Sequence, residues 1–246
     1  MDAAGGAIRA RPGVAASGDA SYTRSTVPRS PAPPLAAPIA IDAAALRAGL
    51  GRVRRTIDRH AAALTRLDAV LGDGDHGDNL AIGFRAVEEV VGGLPPETLP
   101  GELLRTVGHR LVAAVGGASG PLYGTAFMEA GFRAGSVSVI DGRLAAAMLQ
   151  AATDGLARRG RCAVGDKTIL DTVHPAATAL TAAVWTGAAA SDAARATTEA
   201  ARLGMISTRP LIARRGIALR LGERSAGHLD PGAVSCFLIL RALAGR

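Results

Sequence analysis

Aromatic side chains are scarce in this sequence: Phe, Trp and Tyr together make up 3% of its 246 residues. A core of stacked rings is thereby excluded. With 48% apolar content the interior must be filled by Ala, Leu, Val and Ile, which suits closely packed helices. Cysteine is nearly missing too. Cys162 and Cys236 stand alone, without metal-ligand spacing, which fits a reducing cytoplasm. No apolar run reaches the roughly 18 residues that a membrane span needs, so no membrane partner is expected. Stretches alternating at period two over a useful length are also lacking, which excludes a sheet protein.

Lysine is the rarest charged residue. The chain carries 28 Lys and Arg, yet Lys167 is its only lysine, placed inside "GDKT", a hint that an ammonium is needed there. The net charge of +7 raises the question of nucleic acid. The arginines are spread along the chain rather than clustered with aromatics, and the short runs at 52–55, 158–159 and 214–215 read as solvated helix faces, so no nucleic-acid partner is expected.

Residues 1–40 are rich in Ala, Pro, Gly and Ser, end in "SPAPPLAAP" and its neighbours, and show no periodic apolar face. They are expected to form a disordered tail, loosely like a transit peptide but without the apolar segment of a secretory signal, and are read as a plain flexible extension or the result of an early start codon. The folded domain is expected over 41–246. Leu46, Leu50, Val53, Ile57, His60, Leu64, Leu67 and Leu71 alternate steps of four and three, one long amphipathic helix that stops at Gly72. A second helix follows, with Leu80, Phe84, Val87 and Val91 on one face. Further helical runs cover 101–115, 120–134, 142–158, 167–187, 190–209 and 231–244. The expected architecture is all-α, about eight helices joined by short loops.

Chemistry concentrates in the loops. "LDAVLGDGDHGDNL", residues 67–80, gathers four aspartates, a histidine and an asparagine. A loop doubling back at Gly72 and Gly74 brings Asp68, Asp73 and Asp75 to one point. Three anionic oxygens without cysteine suit a hard cation such as Mg²⁺ or Ca²⁺ rather than zinc. An EF-hand is excluded, because counting from Asp73 puts Asp78 where that loop needs Gly and Phe84 where it needs Glu. Mg²⁺ often binds through a few carboxylates plus substrate phosphates, so a nucleotide is the natural partner. The competing reading makes Asp75 or Asp78 a helix N-cap and leaves the others in solvent. "VGGASGPLYG", 115–124, is a glycine-rich turn feeding a helix; it serves either as an anion cradle or as a close-packing turn. "GDKTILDTVHP", 165–175, places Lys167 and Asp171 one turn apart. "RLGERSAGHLDPGA", 220–233, is read as a loop whose Asp230 caps a helix starting at Pro231. If the helices run antiparallel, these loops gather at one end of a bundle.

In order and spacing, "GDGDHGDN", "GGASGPLYGTAF", "GDKTILDTVHPA" and "LGERSAGHLDPGA" resemble the nucleotide-binding L subunits of dihydroxyacetone kinases, from about residue 42 to the C-terminus. The resemblance implies a closed barrel of eight antiparallel helices, with ADP or ATP and a pair of Mg²⁺ ions at one end. It implies Asp68, Asp73 and Asp75 as metal ligands. It implies nucleotide contacts from His76, Gly77, Asp78, Asn79, Ala118, Ser119, Gly160, Asp230, Pro231 and Gly232, with Ile169 packing near the nucleotide. No catalytic residue is implied beyond this Mg-nucleotide site. The family's partner is a sugar-binding K subunit that holds a small keto-sugar covalently. The phosphoryl group comes from exchanging ATP, or from a phosphotransferase-system protein that rephosphorylates a retained ADP.

The chain departs from the pattern at Ile217, where relatives often carry an arginine expected to contact the nucleotide, and at Arg220 in place of a tyrosine. Both changes weaken the expected grip on the nucleotide, while the complete metal set argues for an active enzyme. Two other readings stand beside it: the nucleotide module of a fatty-acid kinase, which normally adds further domains, and a nucleotide-sensing partner of a transcription factor. A homo-oligomer stays open.

Overall fold

The computed structural model describes residues 38–246, and the expected tail lies outside them apart from its last three residues. The architecture is an all-α bundle. Among the described residues it has eight α-helices, a 3-10 segment and one two-stranded ribbon. The helices are α1 (Ala43–Leu71), α2 (His76–Gly92), α3 (Pro100–Ala114), α4 (Ser119–Ala134), α5 (Gly142–Gly160), α6 (Leu170–Trp185), α7 (Ala190–Ser207) and α8 (Pro231–Leu243). Each packs against its neighbours in sequence, and α8 packs back on α1.

The expected apolar face of α1 is the buried one: Leu46, Leu50, Val53, Ile57, Leu64 and Leu71 are buried. His60 is only half-buried on that face and bonds the Thr56 carbonyl at 2.8 Å. Asp42 starts the helix by accepting the Ala45 N–H at 2.8 Å, an ordinary N-cap. Arg52 of α1 donates to the carbonyls of Ala242 at 2.9 Å and Leu243 at 3.3 Å, tying α1 to the end of α8.

Glycine explains how helices with so few large side chains pack tightly. On the α3–α4 face, a Cβ on Gly101 would sit 2.2 Å from the Gly135 carbonyl oxygen. One on Gly108 would sit 2.6 Å from that of Gly124, and one on Gly131 would sit 2.7 Å from that of Gly101. Real Cβ atoms do not approach backbone so closely, so the two helices meet backbone to backbone. Phe84 and Phe127 supply the core's aromatic contact, edge-on with ring centres 6.4 Å apart.

Two elements depart from the sequence expectation. Ala40–Asp42 (β1) pairs antiparallel with Val139–Asp141 (β2), Ile41 opposite Ile140. Strands of three residues are too short to show alternation. Residues read as the start of the 220–233 loop instead belong to a 3-10 segment, Ile217–Ser225, broken by the non-helical Gly222. Of its residues only Ser225 is buried, so no periodic apolar face marks it in the sequence. The sixth helix also begins at Leu170 rather than 167, because Gly165 and Lys167 hold positive φ angles that end any regular helix before it.

Candidate functional site

The acidic loop is built around one carboxylate oxygen. Asp68, buried in the last turn of α1, accepts through Oδ2 from the backbone N–H groups of Gly74 (3.0 Å), Asp75 (3.1 Å) and His76 (3.2 Å). Those three donors include the orphan N–H groups at the start of α2, so Asp68 ties α1 to α2 and anchors the turn between them. Gly72 is required by contact: a Cβ there would lie 2.3 Å from Asp68 Oδ1. Gly74 is required by its φ of +77°.

Asp73 and Asp75 remain exposed, and one ligand oxygen from each, with one from Asp68, lies within 4.8 Å of the others. Asp75 precedes α2 but makes no side-chain capping bond, and Asp78 is exposed, so the N-cap reading of this cluster fails. The Asp75 carboxyl is raised above its ordinary pKa by desolvation first. The side-chain bond from Asn79 opposes that, and the charges of Asp73 and Asp68 add to it. A set of oxygen donors that repel one another, one anchored and two free to adjust, fits a hard divalent cation.

Beside the cluster, His76 joins three helices. Its Nδ1 lies 3.0 Å from Ser119 Oγ and its Nε2 lies 2.8 Å from Ser235 Oγ. Ser235 Oγ also lies 2.6 Å from the Tyr123 hydroxyl and donates to the Gly232 carbonyl at 3.1 Å. Burial lowers the His76 pKa, against the pull of Asp68, which favours the neutral ring with one nitrogen donating and the other accepting. It fixes α2, α4 and α8 relative to each other.

A pocket of about 500 Å³ opens next to His76, with Ser119, Gly160, Lys167, Ile169 and Asp230 in its wall. The N-terminal ends of α2, α4, α6 and α8 all reach it. Each helix N-terminus carries the positive end of a helix dipole, so four at one pocket favour a polyanion, and α4 also leaves its first N–H groups without a side-chain cap. Asp230 caps α8 by accepting the Ala233 N–H at 2.7 Å; burial raises its pKa to about 7, opposed by that bond and by Lys167.

Of the residues expected from sequence, His76, Ala118, Ser119, Gly160, Ile169, Asp230 and Gly232 line this pocket. Four others do not. Gly77 is packed on α1, where a Cβ would lie 2.0 Å from the Ala61 carbonyl oxygen. Asp78 points to solvent, and Pro231 is buried in the first turn of α8. Asn79, the chain's one asparagine, is half-buried, and its backbone N–H donates to the Asp75 carbonyl at 2.9 Å. Ile217 is 47% exposed, and neither it nor Arg220 lines the pocket. Arg215 and Gly216 do, and Arg215 is held by Asp166 at 3.1 Å. Sequence reading passed over Tyr123 and Ser235, polar residues inside otherwise apolar helices. Their partners lie far off in sequence, and only the single polar position in an apolar run could have marked them.

The DAK2 domain model matches residues 70–245. The chain belongs to the DAK2-domain family. Its DAK2 domain is 39% identical over 183 residues to the ADP-binding subunit of PEP-dependent dihydroxyacetone kinase 2 from Listeria innocua, covering 73% of this chain and 83% of that one. It is 38% identical over 213 residues to the D-erythrulose kinase of Mycolicibacterium smegmatis, covering 80% of this chain and 36% of the longer relative. Among solved structures it resembles the dihydroxyacetone kinase of C. freundii in complex with AMP-PNP and Mg²⁺. There the TM-score is 0.62 at 25% identity, over 95% of this chain and 38% of that enzyme. The chain therefore spans little more than a third of the length of these last two proteins.

Proposed function

We propose that this chain is the nucleotide- and Mg²⁺-binding subunit of a two-component dihydroxyacetone kinase. The observation that carries the reading is the convergence of Asp68, Asp73 and Asp75 within 4.8 Å beside a pocket reached by four helix N-termini. A carboxylate cluster and a polyanion cradle in one place suit a metal–nucleotide complex and little else.

Asp68, Asp73 and Asp75 would hold the metal, a pair of Mg²⁺ ions by family resemblance, and the ions would supply neutralisation of phosphate oxygens. Asp68 is fixed by its three N–H donors, so its free oxygen is pre-aimed; Asp73 and Asp75 complete the set from the loop. Backbone groups at Ala118, Ser119 and Gly232 orient the phosphates of ADP or ATP, and Ile169 gives an apolar surface beside Gly160. The phosphoryl group needs positioning and charge balance more than bond-making side chains, so the site holds no separate catalytic residue.

We assign residues 41–246 to this domain and place it in the cytoplasm. Its eight helices close into a barrel with the site at one end, a reading supported by the packing of α8 on α1. The acceptor is dihydroxyacetone or a related small keto-sugar carried by a K subunit. The phosphoryl donor is exchanging ATP or a phosphotransferase-system protein.

The test is reconstitution. The purified chain with Mg·ATP and dihydroxyacetone should give no sugar phosphate alone, and turnover should appear on adding a K subunit, with Mg·ATP or with a phosphotransferase-system protein as the donor. Steady sugar phosphorylation by the isolated chain would refute the two-component reading.

A further inference from the structure

The chain's one lysine is buried and strained, and belongs neither to the carboxylate set nor to the groups that orient the phosphates. Lys167 is 2% exposed and lies in the wall of the nucleotide pocket. Its backbone holds φ at +62°, a left-handed conformation that a residue with a Cβ rarely adopts and that persists only where the surroundings enforce it. The enforcement is visible. Nζ donates to the carbonyl of Thr208 at 2.6 Å and to that of His228.

Thr208 is a junction between the two segments these bonds reach. It is fully buried at the end of α7, its carbonyl takes the lysine, and its Oγ1 accepts the Asp230 N–H at 3.1 Å. The ammonium therefore fastens the 228–230 segment twice, directly at His228 and through Thr208 at Asp230. That segment leads into Asp230 and Gly232, which line the pocket, and into Ser235, which holds His76. Arginine could not replace this ammonium equally: a planar fork does not fit two carbonyls converging on one point.

We infer that Lys167 is a positioning residue for the nucleotide, pinning the Asp230–Gly232 wall against α7 so that it faces the pocket. The inference rests on the nucleotide reading of the pocket. The charged and titratable groups around Asp230 are Lys167 from the turn before α6, Asp171 on α6, Asp68 on α1, Tyr123 on α4 and Cys236 on α8. Lys167 is the only cation among them, so its removal both loosens the wall and shifts the titration of Asp230 upward.

The experiment uses the full chain and Mg·ADP, with calorimetric Kd measured from pH 5.5 to 8.5 for wild type, Lys167→Met, Lys167→Arg and Thr208→Val. Asp230→Asn identifies which inflection of Kd against pH belongs to Asp230. Lys167→Met should weaken Mg·ADP at least tenfold and move that inflection to higher pH. Lys167→Arg should keep the inflection near its wild-type place while recovering only part of the affinity. Thr208→Val, which removes one link and no charge, should weaken binding without moving the inflection, and it carries the test of the wall if Lys167→Met does not fold. Unchanged affinity in folded Lys167→Met or in Thr208→Val would overturn the inference. So would an unmoved inflection in Lys167→Met. Absence of Mg·ADP binding by wild type would instead sink the nucleotide reading. The wall is then judged by amide exchange at Asp230 and Ala233, which should quicken in Thr208→Val and would overturn the inference if unaltered.

Discussion

Asp68 and Asp75 belong to one carboxylate cluster, yet replacing each with asparagine should move stability in opposite directions. Asp68 accepts three backbone N–H groups on one oxygen. A hydrogen bond to a charged acceptor is worth about 1.5–3 kcal/mol and one to a neutral acceptor about 0.5–1.5, so Asp68→Asn loses about 3 kcal/mol over the three. Neutralising it also relieves repulsion from Asp73 and Asp75. At separations up to 4.8 Å, and with both neighbours exposed to water, that relief is about 1 kcal/mol per neighbour. The net is a loss of about 1 kcal/mol, or ~2–4 °C in Tm for a chain of this size. Asp75 accepts none of these backbone bonds, so Asp75→Asn keeps the relief of about 1–2 kcal/mol and loses little. Scanning calorimetry in low-salt buffer with a chelator should therefore show Asp68→Asn melting below wild type and Asp75→Asn at or above it. Both variants should lose Mg-dependent ADP binding. Equal shifts of the same sign would show that the three N–H bonds do not anchor the loop, and retained Mg·ADP affinity in Asp75→Asn would remove it from the metal set.

Gly101→Ala should destabilise the fold by about 1–3 kcal/mol, because its Cβ would meet the Gly135 carbonyl oxygen at 2.2 Å and the clash outweighs the better helix propensity of alanine; urea unfolding checks this, and a stabilised variant would mean that α3 and α4 are not in backbone contact. Asp230→Asn should gain stability relative to wild type as pH rises. The folded-state pKa of about 7 lies above the unfolded value of about 3.9, so the stability that wild type holds at low pH is lost progressively between about pH 4 and 7. Asparagine cannot ionise and still caps α8, so the Tm difference should widen from pH 5 to 7 and level off above; a difference independent of pH would contradict the desolvated carboxyl.

The helices were legible because their signals are long: runs of a dozen or more residues, the first two with a clear apolar face, and Gly or Pro at most ends. The three-residue strands and the mostly exposed 3-10 segment carry no such pattern, since pairing across a hundred residues or a run of turns leaves no local period. At the site, the acidic loop was legible as three carboxylates around two glycines, all in one stretch. The His76–Ser235–Tyr123 network was not, because its members sit on three helices and meet only in space. Lys167 fell between: its rarity flagged it, but the carbonyls of Thr208 and His228 that explain its burial could not be read from the sequence around it. Gly77 and Pro231 show the reverse, motif residues whose place in the pattern reflects packing against α1 and the start of α8 rather than a position in the pocket.

The packing of each helix on its sequence neighbours, with α8 returning to α1, also sets an order in time. Contacts between consecutive helices close short loops and form quickly, whereas the α1–α8 seam joins the two extremes of the domain and must wait for the last helix. Asp230, Gly232 and Ser235 arrive with that helix, and Asp68 and His76 have been in place since the first two. A domain emerging from the ribosome therefore completes its pocket only when α8 docks. Nucleotide capture would then mark a finished fold, and ribosome-bound chains lacking the last helix would remain blind to ADP while already largely helical.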